Sequence, residues 1–199
     1  LIEAYGDDAM DGLNPAVGAP YPFNAPNDLQ TLLQAQFGNR VTVSNQGAPG
    51  STLGTLMAGS DGRHLAWDQQ MAQSKADVVL VNHGTNDSAW GGEDVPQFGA
   101  LLTQFVVIAQ KHGKIAVIEE AGPVCSPNYN IAPYVAATNY IASQAGVPLI
   151  QQYQALLAVP NYCSHLTGEY YADPYIYSIK AQQEAKALAP IVKTILDKQ

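Results

Sequence analysis

The sequence predicts an α/β fold on a parallel sheet, and three features carry that expectation. Ala76-Asp77-Val78-Val79-Leu80-Val81-Asn82 is a nearly continuous apolar run, the pattern of a strand buried on both faces of a parallel sheet. Four shorter runs, at 1–5, 40–44, 115–118 and 147–150, alternate with stretches of helical periodicity, as in a doubly wound sheet. A chain of 199 residues also suits a single domain, taken as 1–199, able to bury its own core.

In chain order, Leu1 to Tyr5 gives the first strand, which turns at Gly6. Residues 14–26 hold Pro15, Pro20, Pro22 and Pro26, so a loop flanking that strand's end is expected rather than a helix interior or a central strand. Asn27 or Asp28 caps a helix with Leu29, Leu32, Leu33 and Phe37 on one face, and Gly38 stops it. The strand at 40–44 leads into a glycine-rich turn, Asn45 to Thr52, and 53–74 reads as short helical pieces broken around Gly59 to Gly62. After the central strand, 95–112 puts Phe98, Leu101, Leu102, Phe105, Ile108 and Ala109 on one helical face. The strand at 115–118 ends in Glu119-Glu120 and a loop through Pro123, Cys125 and Pro127. Asn130 begins a helix to Ala145. Asp173-Pro174, a strong N-cap and N1 pair, opens the last helix, in which Pro190 is expected to introduce a kink.

Chemistry is expected at the carboxyl edge of the sheet, where ligands of open α/β sheets bind. Gly6-Asp7-Asp8 ends the first strand there. Together with Asn45-Gln46-Gly47-Ala48-Pro49-Gly50-Ser51-Thr52 and with Gly84-Thr85-Asn86-Asp87 after the central strand, it resembles blocks I, II and III of the SGNH (GDSL) hydrolases. The resemblance covers nearly the whole chain. It implies a three-layer α/β/α sandwich with a five-stranded parallel sheet in the flavodoxin-like order 2-1-3-4-5. It also implies an esterase cleft in which Gly47 and Asn86 are the oxyanion-hole donors and position 8 is that of the nucleophilic serine.

Position 8 is an aspartate. The family's base comes from a C-terminal Asp-x-x-His block just before the last helix, and two registers are open. One takes Asp173 as the aspartate and puts Ile176 at the histidine position. The other, preferred because Asp173-Pro174 starts the helix, puts Tyr171 at the histidine position and Gly168 at the aspartate position. Neither holds a histidine, so a working triad is not expected. Asp8 would instead lie near donors arranged for an oxyanion and block a substrate carbonyl.

Asp7, Asp87, Glu120 and His165 are further cleft candidates, while His83 is expected to support the loop or core. Asp8 paired with Asp11, Asp87 or Glu120 would suit glycosidic acid–base chemistry, and the same cluster would suit a hard cation, although no ligand-loop spacing is present. The tyrosines at 162, 170, 171, 175 and 177 suit sugar rings or the packing of the last helix.

The composition limits partners. Only 13% of residues are charged and the formal net charge is -8, which argues against a nucleic-acid partner; no apolar run approaches membrane-spanning length. Neither a metal nor a cofactor is expected. Cys125 and Cys163 fall in loops at the same end of the sheet and are expected to form a disulfide, the alternative being two unpaired core residues. A disulfide implies a secreted or periplasmic location. The functional expectation is a pseudoenzyme binding a carbohydrate or acylated ligand, with an ester or glycan hydrolase using a nonstandard site that includes Asp8, or a structural domain of a surface protein, as alternatives.

Overall fold

The computed structural model describes residues 1–90 and 93–198. Among them the central sheet has five parallel strands: β1 (Ile2–Gly6), β2 (Val43–Gly47), β3 (Val78–Asn82), β4 (Ile115–Glu119) and β5 (Leu149–Ile150). Their order is β2-β1-β3-β4-β5, the expected 2-1-3-4-5. The chain leaves β1 toward one side for β2 and returns to the other for β3, so the switch point falls where Gly6 pairs with Asn82.

Alternation along the strands decides the layers. Ile2, Ala4, Val78, Leu80 and Val117 pack against α2 (Ala25–Phe37) and α9 (Pro174–Leu196) through Leu29, Leu33, Ala181, Leu188 and Val192. Tyr5, Val79, Val81, Ala116 and Ile118 face the opposite layer, built from α3 (Leu53–Ala58), α4 (Trp67–Gln73), α6 (Val95–Lys111) and α7 (Ala132–Ala145), while the short α5 (Thr85–Trp90) follows β3 and α8 (Tyr153–Leu157) follows β5. There Trp67 stacks on Phe105 with ring centroids 4.4 Å apart and donates from Nε1 to the Phe105 carbonyl. The three-layer α/β/α sandwich follows from these two apolar faces.

Several boundaries differ from expectation for local reasons. β2 starts at Val43 because residues 38–40 form a 3₁₀ turn at the end of α2. α2 starts at Ala25 rather than after Asn27 or Asp28; Asn24 is its cap, with Oδ1 accepting from the Asn27 amide at 3.1 Å. Pro26 lies in its first turn, where no intrahelical N–H bond is lost. α7 follows Ile131, with no side-chain cap from Asn130. The loop after β1 contains a small antiparallel ribbon pairing Leu13–Asn14 with Ala19–Pro20, and α9 is one helix through Pro190. Among the described residues no helix is long and apolar enough to cross a membrane.

Candidate functional site

Three loops meet where β1, β2 and β3 end. Asp7 caps the short α1 (Asp8–Asp11), with Oδ1 accepting from the Ala9 amide at 2.9 Å, and this holds the neighbouring Asp8, half-buried, beside the other two loops. Asp8 Oδ2 accepts from Asn86 Nδ2 at 2.8 Å and from the Gly50 amide at 2.9 Å. Asn86 Nδ2 also donates to the Ser51 carbonyl at 3.0 Å, joining the second loop to the third. The structure therefore brings Asp8 and Asn86 into contact.

Gly47 does not face Asp8. Its amide donates to Asn45 Oδ1 at 2.9 Å, and a Cβ at this position would collide with the backbone of Asp11. Gly47 is required for α1 to lie close against β2. The backbone donor at Asp8 is Gly50, three residues on, in a turn with φ of 77°.

The other acidic candidates hold the scaffold. Asp87 accepts from the Leu53 amide at the start of α3 and from the Gly84 amide, both at 2.9 Å, and is fully buried. Burial raises its pKa, against the pull of those amides. Glu120 is buried too, accepting from Asn139 Nδ2 of α7 at 2.7 Å and from the Tyr153 amide at 2.8 Å; it follows Ala116 and Ile118 toward the α7 layer, away from Asp8. His165 pairs through Nδ1 with Asp173 Oδ2 at 2.9 Å, tying the preceding loop to the cap of α9. His83 is buried, and neither ring nitrogen has a hydrogen-bond partner among the described residues; burial pushes its pKa down to about 4, so it is neutral at neutral pH. A glycosidic acid–base pair from Asp8 with Asp87 or Glu120 is not offered to solvent. Among the described residues no group of three or more metal-ligating side chains converges.

The loop before α9 forms a second small ribbon, Leu166–Thr167 with Tyr171–Ala172. Gly168 and Glu169 turn it, with φ of 60° and 73°. Cys125 is disulfide-bonded to Cys163, and the Cys125 amide donates to the Glu169 carbonyl at 2.9 Å, so the ribbon is fixed to the loop after β4. Tyr171 is held near Asp8: burial first, then the Asp8 charge and Tyr170, push its hydroxyl up to about 12. Tyr170 and Tyr171 have ring centroids 4.5 Å apart, and Tyr129 meets Tyr170 edge-on at 6.2 Å.

Behind the aromatic ribbon lies a cluster that sequence reading missed. Lys180 Nζ of α9 lies 2.6 Å from Glu119 Oε2 and 3.2 Å from Glu184 Oε1, and donates to Asn82 Oδ1 at 3.2 Å, all of them buried. Burial works against the Lys180 charge, but Glu119 and Glu184 outweigh it and hold its pKa above the ordinary lysine value. Burial, with Glu184 alongside, holds Glu119 well above the carboxylate range, although Lys180 pulls the other way. The signal was present in the sequence: Lys180 and Glu184 fall on the same helical stripe as Ile176, Ala181 and Leu188. A cavity of about 30 Å³ borders this cluster, lined by Lys180, Asn82, Gln152 and Tyr177 and by Ala9 and Thr85, the residues next to Asp8 and Asn86.

The sandwich and the position of its switch-point site are those of the GDSL-type hydrolase fold. The chain belongs to the GDSL-like lipase/acylhydrolase family, which it matches over residues 4–171. Among solved structures it is similar to a lipase/acylhydrolase from Enterococcus faecalis, with 18% identity over 95% of each chain and a TM-score of 0.74. It is also similar to a catalytic mutant of an acetylxylan esterase from Geobacillus stearothermophilus, with 17% identity, 94% of this chain and 93% of that chain covered, and a TM-score of 0.75. A third is a member of the lipolytic G-D-S-L family from Veillonella parvula, with 15% identity, 93% and 96% covered, and a TM-score of 0.73. No curated protein matches the chain.

Proposed function

We propose that this domain is a GDSL-family pseudoenzyme whose cleft binds a glycan or an acylated ligand without turning it over. The supporting observation is the engagement of Asp8 Oδ2 by both Asn86 Nδ2 and the Gly50 amide. Donors placed at a sheet edge to receive a developing oxyanion act only if that position is open to the substrate oxygen. Here a carboxylate of the chain holds it and repels any incoming carbonyl oxygen. Tyr171, the residue of the last loop that feels the Asp8 charge, has a hydroxyl that keeps its proton at neutral pH and cannot act as a base there. The likeness to an acetylxylan esterase favours a glycan. The disulfide is compatible with a secreted or periplasmic location, which fractionation of a producing cell, with thiol alkylation before and after reduction, would test.

The activity test is hydrolysis of p-nitrophenyl acetate by the parent and by the triple variant Asp8→Ser, Gly168→Asp, Tyr171→His. The parent is expected to show no turnover above buffer, and the variant a small gain. The gain is limited because residue 168 has a left-handed backbone, which an aspartate adopts less readily than glycine. Turnover by the parent that Asp8→Ala abolishes would overturn the proposal in favour of a nonstandard hydrolase.

A further inference from the structure

We infer that the cavity of about 30 Å³ behind the aromatic ribbon is an internal hydration site, in which a water bridges Gln152 Oε1 and the Tyr177 hydroxyl. The water joins α9 to the segment between β5 and α8 and stands between the cleft and the Lys180 cluster. The site is independent of whether the cleft binds a glycan.

Gln152 is 1% exposed, and only half of its amide is satisfied. Its Nε2 donates to the Glu120 carbonyl, which also accepts from Asn82 Nδ2 at 2.7 Å. Turning the Gln152 amide over would set its oxygen against that carbonyl oxygen, so the bond already made fixes which end is which. Oε1 is thereby left as a buried acceptor without a donor among the described residues. Lys180 has none to give, because its three N–H donors are directed at Glu119, Glu184 and Asn82.

A second orphan comes from a different element. Tyr177, in the first turn of α9 and 1% exposed, has no hydrogen-bond partner for its hydroxyl among the described residues. Gln152 and Tyr177 both line the cavity. Buried polar groups are bonded as a rule, to protein or to ordered water, and two orphans on one small cavity point to a shared partner. The orphan oxygens of Glu119 and Glu184 are a separate matter, since neither residue lines this space.

Size and chemistry select the partner. A space of about 10–15 Å³ already admits one water, so this cavity holds one with room for a second and is too small for a sugar or an acyl chain. The occupant must donate to Gln152 Oε1 and accept from the tyrosine O–H. A monovalent cation cannot accept that proton and would share the cavity with the Lys180 ammonium. A halide cannot donate to Oε1. Water does both. The wall includes Ala9 and Thr85, next to Asp8 and Asn86, and on the ribbon side Tyr162, Tyr170 and Ala172. The segment held by Cys163 therefore helps to enclose the site.

The test is a high-resolution crystal structure of the parent, with rubidium and bromide soaks, beside a double-mutant cycle of Gln152→Met and Tyr177→Phe followed by urea unfolding. An ordered water is expected within about 2.5–3.2 Å of both Gln152 Oε1 and the Tyr177 oxygen, with no anomalous peak at that position in either soak. The two substitutions are expected to be coupled by about three- to tenfold in the unfolding constant, although the side chains do not bond to each other, because either one alone already leaves the water half-bonded. A direct Gln152–Tyr177 hydrogen bond, a cavity without ordered water or an anomalous peak within it overturns the inference. Strictly additive effects of the two substitutions overturn the bridge as well. Should a variant fail to fold, the parent crystal decides.

Discussion

Asp7 and Asp8 are neighbours in one turn, yet the chain puts them to opposite uses. Asp7 is 1% exposed and caps α1, whereas Asp8 is half-buried at the cleft. Burial, then the Asp8 charge, raises the Asp7 carboxyl to about 7 from 3.8. A folded-state pKa above the unfolded value means that the folded chain prefers the protonated form. The stability this gives is complete below about pH 4 and is lost as pH rises through about 7. Asp7→Asn keeps an acceptor for the Ala9 amide and has no proton to lose. Its folding stability is expected to match the parent's in acid and to exceed it increasingly up to neutral pH, by about 4 kcal/mol at most. Parallel melting curves against pH check this, and a constant difference across the range would refute it. At this scale the sequence was partly legible. Gly6-Asp7-Asp8 and Gly84-Thr85-Asn86-Asp87 mark the switch point because a strand followed by such a turn has few other places to go. Which amide of the Asn45–Thr52 turn points at Asp8 depends on backbone torsions, and the motif suggested Gly47 where the donor is Gly50.

Elements were legible where apolar periodicity was strong, and their ends were not. β3 and α6 appear within two residues of expectation because their buried faces extend nearly to both ends. α2 begins earlier than expected because Asn24, not Asn27, has its side chain over the first turn. α9 carries the larger lesson. Its core stripe holds Lys180 and Glu184, and only the packing against β4 explains why: Glu119 reaches the same point from the sheet. One ammonium faces two carboxylates there, so the cluster holds an unbalanced negative charge unless a proton is retained. Burial and Glu184 raise the Glu119 pKa, and the stability tied to that proton is lost as pH rises, as for Asp7. Lys180→Met is expected to cost about 3–5 kcal/mol, because it leaves buried carboxylates without a cation. Glu184→Gln is expected to be stabilising above neutral pH, on the order of 1 kcal/mol. Urea midpoints with an unchanged m-value distinguish the two directions, and a loss of stability in Glu184→Gln would show that its charge is needed.

At the scale of the molecule, the cleft is built from segments far apart in the chain, and the disulfide holds the most distant of them in place. β1, β2 and β3 fix Asp8, Gly50 and Asn86 through the sheet itself. The aromatic wall has no strand of the main sheet behind it. Its ribbon is attached by the Cys125–Cys163 bond across 38 residues, by the Cys125 amide on the Glu169 carbonyl, by His165 on Asp173 and by Tyr162 on the Pro123 carbonyl. Closing a loop of this length restricts the unfolded chain by about 4 kcal/mol in the chain-entropy account. The paired variant Cys125→Ser, Cys163→Ser is therefore expected to melt at a lower temperature while keeping its parallel sheet, since β1 to β4 and the two apolar layers do not depend on the bond. Binding should suffer more than the fold. With Tyr170 and Tyr171 released from their anchor, glycan affinity is expected to fall about tenfold or more, the cost of ordering the ribbon at each encounter. Hydrogen exchange locates the effect: faster exchange confined to about residues 162–172 accompanies the loss of affinity if the bond organises the cleft. Uniformly faster exchange across β1 to β4 would mean instead that it supports the domain as a whole.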